Sequence, residues 1–141
     1  MLADLTIQKF MEELSSGSPV PGGGSVSALC GVTASALSAM VASLTEGRKG
    51  YEDAWEEMKI LKRDMEKAGE ELMTAMDEDA KAYAKVIECF KLPKGTEEEK
   101  QARSEAIQEA TKEAALVPLS VAEKTAVLFD AAEAAVRNGN Q

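Results

Sequence analysis

Residues 51–90, YEDAWEEMKILKRDMEKAGEELMTAMDEDAKAYAKVIECF, run without a proline and with a single glycine, Gly69. Along them Tyr51, Trp55, Met58, Leu61, Met65, Ala68, Leu72 and Met76 form a series that continues through Asp79 to Tyr83, Val86 and Phe90. The steps are mostly three and four, which places these side chains on one stripe of a bundle helix. At 1.5 Å per residue that helix is roughly 60 Å long. Leu92-Pro93-Lys94-Gly95 ends it, because proline cannot continue the hydrogen-bond ladder.

The flanking sequence extends the same architecture. Before the long helix, Gly47 to Gly50 is a break, with Arg48 and Lys49 suited to a helix carboxyl end. Upstream, Ser25 is predicted to cap a helix running to Thr45 or Glu46. Its small residues Ser27, Gly31, Ser35 and Ala39 recur every fourth position and allow another backbone to come close. Packing within the chain and a homodimer seam both fit that stripe. Ser15 to Gly24 reads as a loop, and Asp4 or Thr6 caps a short first helix with a stripe of Leu5, Phe10, Met11 and Leu14. After the long helix, Thr96 caps a further one with Glu97, Glu98 and Glu99 at its positive end. This helix is expected to reach Arg137, with a kink or break near Val117 caused by Pro118. No stretch reads as a strand. The expectation is an all-α, elongated helical bundle with one very long helix, forming a single domain over residues 1–141.

Composition narrows the functions. Aromatic residues make up only 4% of the 141, so the core relies on Ala, Leu, Val and Met, and a second copy would add burial. The net charge of −9 opposes nucleic-acid binding, which needs a basic face. Between Leu14 and Thr45 no residue is charged, but the prolines, glycines and serines there argue for a helix buried in protein rather than a membrane span. Cys30 and Cys89 lie in apolar sequence and are expected to be buried thiols in a reducing, cytoplasmic setting, with no secretory signal at the start.

The sequence has no histidine, which removes the commonest general base, the Ser-His and Cys-His pairs and most zinc sites. Carboxylates, lysines, tyrosines and thiols remain. Asp79 is singled out because every neighbour on its stripe is apolar or aromatic, whereas Asp77 and Glu78 fall off the stripe and are expected to face solvent. A buried carboxylate is costly unless paired or protonated, so both a functional role and a structural pairing are open for it. Tyr83, one turn on, reads as a core aromatic or a proton donor. Pro21-Gly22-Gly23-Gly24-Ser25 is the second candidate: three glycines let backbone approach a ligand and lead into a helix start that favours a polar or anionic group. No Lys-Ser/Thr follows, so it is not a nucleotide loop. No metal site is expected, since Glu97–Glu99 reads as a solvated helix start.

The segment Pro19-Val20-Pro21-Gly22-Gly23-Gly24-Ser25, followed by Asp79-Ala80, Tyr83, Leu92-Pro93, Val117-Pro118-Leu119 and Gly139-Asn140 in that order, resembles the formiminotransferase-cyclodeaminase-like family. The resemblance implies a helical homodimer acting on a one-carbon unit of tetrahydrofolate without a redox cofactor. Two activities occur in the family: closing formiminotetrahydrofolate to the methenyl form with release of ammonia, and adding water to the methenyl form. In that setting Asp79 is expected to exchange the proton, with Tyr83 nearby, while Pro21, Gly22, Gly23, Gly24 and Ser25 position the pterin or its polar substituents. Family members continue past Gly-Asn into a Ser-Asp segment that has no counterpart here, which fits either part of a longer chain or a reduced relative. An interaction module and a folate-binding relative without turnover are the alternatives. A basic residue on Asp79 with no cavity favours the module, and a cleft between the glycines and Asp79 favours folate chemistry.

Overall fold

A computed structural model describes residues 1–140. It contains four α-helices, α1 (Ile7–Leu14), α2 (Gly23–Thr45), α3 (Trp55–Phe90) and α4 (Glu97–Asn138), and among the described residues no strand. One-turn 3₁₀ segments at Leu2–Asp4 and Glu52–Ala54 precede α1 and α3. The expected long helix therefore begins at Trp55 rather than Tyr51, and α4 is longer still at 42 residues. Thr6 caps α1 by accepting from the Lys9 amide at 3.1 Å. Thr96 and Glu99 form a reciprocal capping box at the start of α4, which explains why that helix starts where it does. Gly47 and Gly50 take positive φ of 75° and 92°, a backbone region that favours glycine, and so terminate α2.

The three long helices pack as an up-down-up bundle. Ser25, Gly31 and Ser35 of α2 meet Asp79, Leu72 and Gly69 of α3 in reversed order, so these two helices are antiparallel. Glu57, Glu71 and Lys85 of α3 pair with Asn138, Lys124 and Glu113 of α4, also in reversed order. Between them the core is filled by Phe10, Ala28, Met65, Leu72, Ala75, Met76, Val121, Leu128 and Ala131. Phe10 is its sole aromatic. The small-residue stripe works within the chain: a Cβ on Gly31 would lie 2.8 Å from Leu72 Cδ1 and 2.9 Å from Thr125 Cγ2. Ser35 is buried on the same line, while Ser27 is exposed.

Several expectations are corrected. Pro118 does not break α4, which stays helical on both sides of it. The lost hydrogen bond and the ring's clash with the preceding turn, together about 3 kcal/mol, are outweighed by Val121, Leu128 and Ala131 anchoring the helix in the core. Asp77 is not solvated but buried, 7% exposed, because the Leu2–Asp4 turn lies along the flank of α3 and the Leu2 amide donates to its Oδ1 at 2.6 Å. Glu78 is exposed as expected. Cys30 is exposed and Cys89 half-buried, so neither is a core thiol. The same correction holds for α2 as a whole: it is buried on the face toward α3, yet Leu37, Met40 and Leu44 are about half exposed. A helix uncharged on every side gives no sequence signal for which side is covered. By length and composition alone α2 is also apolar enough to cross a membrane.

Candidate functional site

The glycine segment and Asp79 meet at the start of α2. Gly22 is the last extended residue, and the first helical bond runs from the Val26 amide to its carbonyl at 3.0 Å. The amides of Gly23, Gly24 and Ser25 therefore fall in the first turn, where no carbonyl of the helix can reach them. Gly22 offers no side chain to accept from them, so the cap comes from another helix. Asp79 of α3, 54 residues away, places Oδ2 at 2.9 Å from the Ser25 amide and 2.9 Å from the Ser25 hydroxyl. The predicted cap, Ser25, is thus the third residue of α2, fully buried, and a donor rather than an acceptor. Its single hydroxyl proton lies between Asp79 Oδ2 and the Met76 carbonyl, which is 3.2 Å away.

Electrostatics favour this arrangement. A carboxylate against the amino end of a 23-residue helix meets the positive end of its dipole. Two donors on one oxygen satisfy a charge that packing has half removed from water. Among the described residues no lysine or arginine pairs with Asp79; Lys59, Arg63, Lys67 and Lys85 of α3 and Lys100, Lys124 and Arg137 of α4 pair with other carboxylates. Gly24 shows how close the two elements come. A Cβ built there would lie 2.5 Å from Asp79 Cγ and 2.7 Å from Oδ2, and closer still to Oδ1. Only glycine permits the contact.

On another side of the same turn lies a cavity of about 380 Å³ bounded by Gly23, Gly24 and Ser27 of α2 and by Pro118, Val121, Ala122 and Thr125 of α4. Its wall at Gly23 and Gly24 is first-turn backbone, which supplies donors for an oxygen or nitrogen acceptor of a ligand. Asp79 reaches this space through Gly24 and Ser25 and does not line it. The α4 wall was not anticipated as part of the site. Its one signal in the sequence is Pro118, an unusual residue for a helix interior.

The remaining candidates divide. Pro21 is buried beneath the loop and Gly22 is half-buried, so both shape the entry to α2. Tyr83 is 41% exposed and is not the core aromatic expected. It lies one turn beyond Asp79, the residue that meets the first turn of α2.

Known proteins share this arrangement of sequence and fold. The chain is 36% identical over 139 residues to formimidoyltransferase-cyclodeaminase of Mus musculus, covering 99% of the chain and 26% of that protein. It is 36% identical over 140 residues to methenyltetrahydrofolate cyclohydrolase of Methylorubrum extorquens, covering 67% of that protein. The crystal structure of formiminotetrahydrofolate cyclodeaminase from Thermotoga maritima superposes with a TM-score of 0.84 at 34% identity, over 99% of this chain and 66% of that one. The chain thus spans about a quarter of the mouse protein and two thirds of the two bacterial ones. The family model described as formiminotransferase-cyclodeaminase matches residues 6–141, a span holding both the glycine turn and Asp79. The chain belongs to the formiminotransferase-cyclodeaminase family.

Proposed function

We propose that this chain carries out one-carbon chemistry on a tetrahydrofolate derivative, either closing the formimino form to the methenyl form or hydrating the methenyl form. The observation that carries the reading is the family match across a segment in which Asp79 is held at the α2 amino terminus by Ser25. Both reactions move a proton at an amidine-like carbon–nitrogen centre. A carboxylate without a cationic partner, oriented by two donors, is suited to exchange that proton. First-turn amides at Gly23 and Gly24 are suited to hold a polar group of the pterin in the cavity beside them. Ser25 engages only Oδ2 of the half-buried Asp79, which leaves Oδ1 for the substrate.

The folate is substrate, and the proposal includes no cofactor or metal. Tyr83 is assigned a place at the exposed end of the site, one turn beyond Asp79. The test is Asp79→Asn, whose amide oxygen still accepts from Ser25 but cannot take a proton. Turnover should fall about 100-fold or more while the helical fold is kept. Full activity in that variant ends the proton-transfer assignment.

The uncharged α2 face with Leu37, Met40 and Leu44 supports a second copy of the chain as its partner. A dimer in sedimentation that Leu37→Glu with Met40→Glu converts to monomer is the expected result; a monomer at all concentrations contradicts it. The acidic charge and the paired face of α2 support a cytoplasmic protein without nucleic-acid or membrane partners. Co-fractionation with membranes would oppose that placement.

A further inference from the structure

Asp77 is the most costly side chain of the bundle that the folate reading leaves unused. It is 7% exposed, and its Oδ1 accepts from the Leu2 amide at 2.6 Å. Its Oδ2 is buried with no hydrogen-bond partner. An oxygen of a carboxylate left in that state loses hydration worth several kcal/mol without compensation. Asp77 also lines a cavity of about 550 Å³ between α2 and α3, whose apolar walls are Val32, Ala36, Met65 and Met73. Glu66, Glu70, Glu78 and Lys81 of α3 border it, as does Met1, whose α-ammonium pairs with Asp4. Lys81 makes no ion pair with Asp77 among the described residues, although it sits one turn away and is exposed. Asp77 and Asp79 are two residues apart and so about 200° apart around α3, which separates this cavity from the glycine turn.

We propose that this cavity is a second binding site, for a small organic cation: a protonated amine or amidinium on an apolar body. The apolar walls take the body and Asp77 is the counter-ion; its Oδ2, closed to water in this structure, accepts the ligand's N–H once the carboxylate turns toward the cavity. A carboxylate keeps lone pairs for such a donor after the Leu2 bond is made. Three further acidic residues at the border repel anions, and the volume suits one aromatic ring with its cationic substituent. The site does not depend on the folate assignment.

The experiment uses the full chain with ¹³C-methyl-labelled methionine, titrated with benzamidine. Met1, Met65 and Met73 line the cavity, while Met58, in the core, and Met11, on the surface, lie outside it. Saturable shifts confined to the cavity methionines, and absent with benzyl alcohol or benzoate, are expected. Asp77→Asn, whose oxygen can still accept from Leu2, should weaken binding about 10- to 100-fold. Ala36→Leu keeps Asp77 but fills the cavity from an exposed helical position, and should also abolish the shifts. The proposal is overturned if benzamidine shifts no cavity methionine, shifts Met11 equally, or binds Asp77→Asn and Ala36→Leu as tightly as the parent.

Discussion

Gly24→Ala is the perturbation that most sharply probes the contact at the start of α2. The added methyl would lie 2.5 Å from Asp79 Cγ, where no real side chain sits, so the carboxylate must swing away. Both of its bonds to Ser25 then break. Hydrogen bonds to a charged group contribute about 1.5–3 kcal/mol each when buried. Half exposure lets water replace part of that, and alanine regains up to about 1 kcal/mol over glycine in a helix. The net destabilisation is about 1–2 kcal/mol, a fall in Tm of roughly 3–8 °C. Thermal melts followed by circular dichroism measure it. The cycle with Asp79→Ala sharpens the test, because in that background the obstruction is gone. There Gly24→Ala should be neutral or stabilising, reversing its sign, with a coupling of about 2 kcal/mol. An equal cost in both backgrounds would refute the assignment of Gly24 as clearance for Asp79.

Gly31→Ala tests a point where all three long helices meet, since its methyl would press on Leu72 Cδ1 at 2.8 Å and Thr125 Cγ2 at 2.9 Å. Overpacking there should cost about 1–3 kcal/mol in denaturant unfolding, and a neutral variant would show that α2 and α4 are free to separate. The pH dependence of stability follows from Glu71, whose carboxyl is held below its usual value chiefly by the hydrogen bond from Lys124 and by that ammonium's charge. A depressed carboxyl pKa stabilises the fold above its unfolded value, and the contribution is lost as pH falls through the lowered one. Lys124→Met should therefore lower Tm slightly at neutral pH, and that effect should fade as acid takes the pH below the lowered pKa and protonates Glu71 in every state. Lys85 has the opposite sign: Glu113 raises its pKa, so that pair stabilises until strongly alkaline pH. Lys85→Met should accordingly lower Tm at neutral pH and lose its effect in strong alkali.

The fold was legible where a single face carried the signal. The three- and four-residue steps from Met58 to Met76 are intrinsic to one helix, and so is the Thr96–Glu99 cap. Asp77 was misassigned because that spacing describes one contact face, while the Leu2–Asp4 turn covers a second flank of α3. Cys30 was misassigned because α2 lacks charge on all sides, leaving no contrast between inside and outside. Asp79 stood out as a polar residue on an apolar stripe, and the three glycines as a loop free of side chains. That the two belong together was legible only through the family resemblance, and the structure shows them in contact. Their contact spans 54 residues and is set by the antiparallel register of α2 and α3, which no local pattern encodes. The α4 wall of Pro118 and Thr125 depends on the same long-range packing.

The central claim is tested most directly by adding the purified chain to methenyltetrahydrofolate and following the methenyl absorbance together with binding. Saturable binding is expected for either activity, with loss of absorbance above the buffer rate for the hydrating one and loss of that excess in Asp79→Asn. A fully helical chain that neither binds the compound nor changes the rate would contradict it.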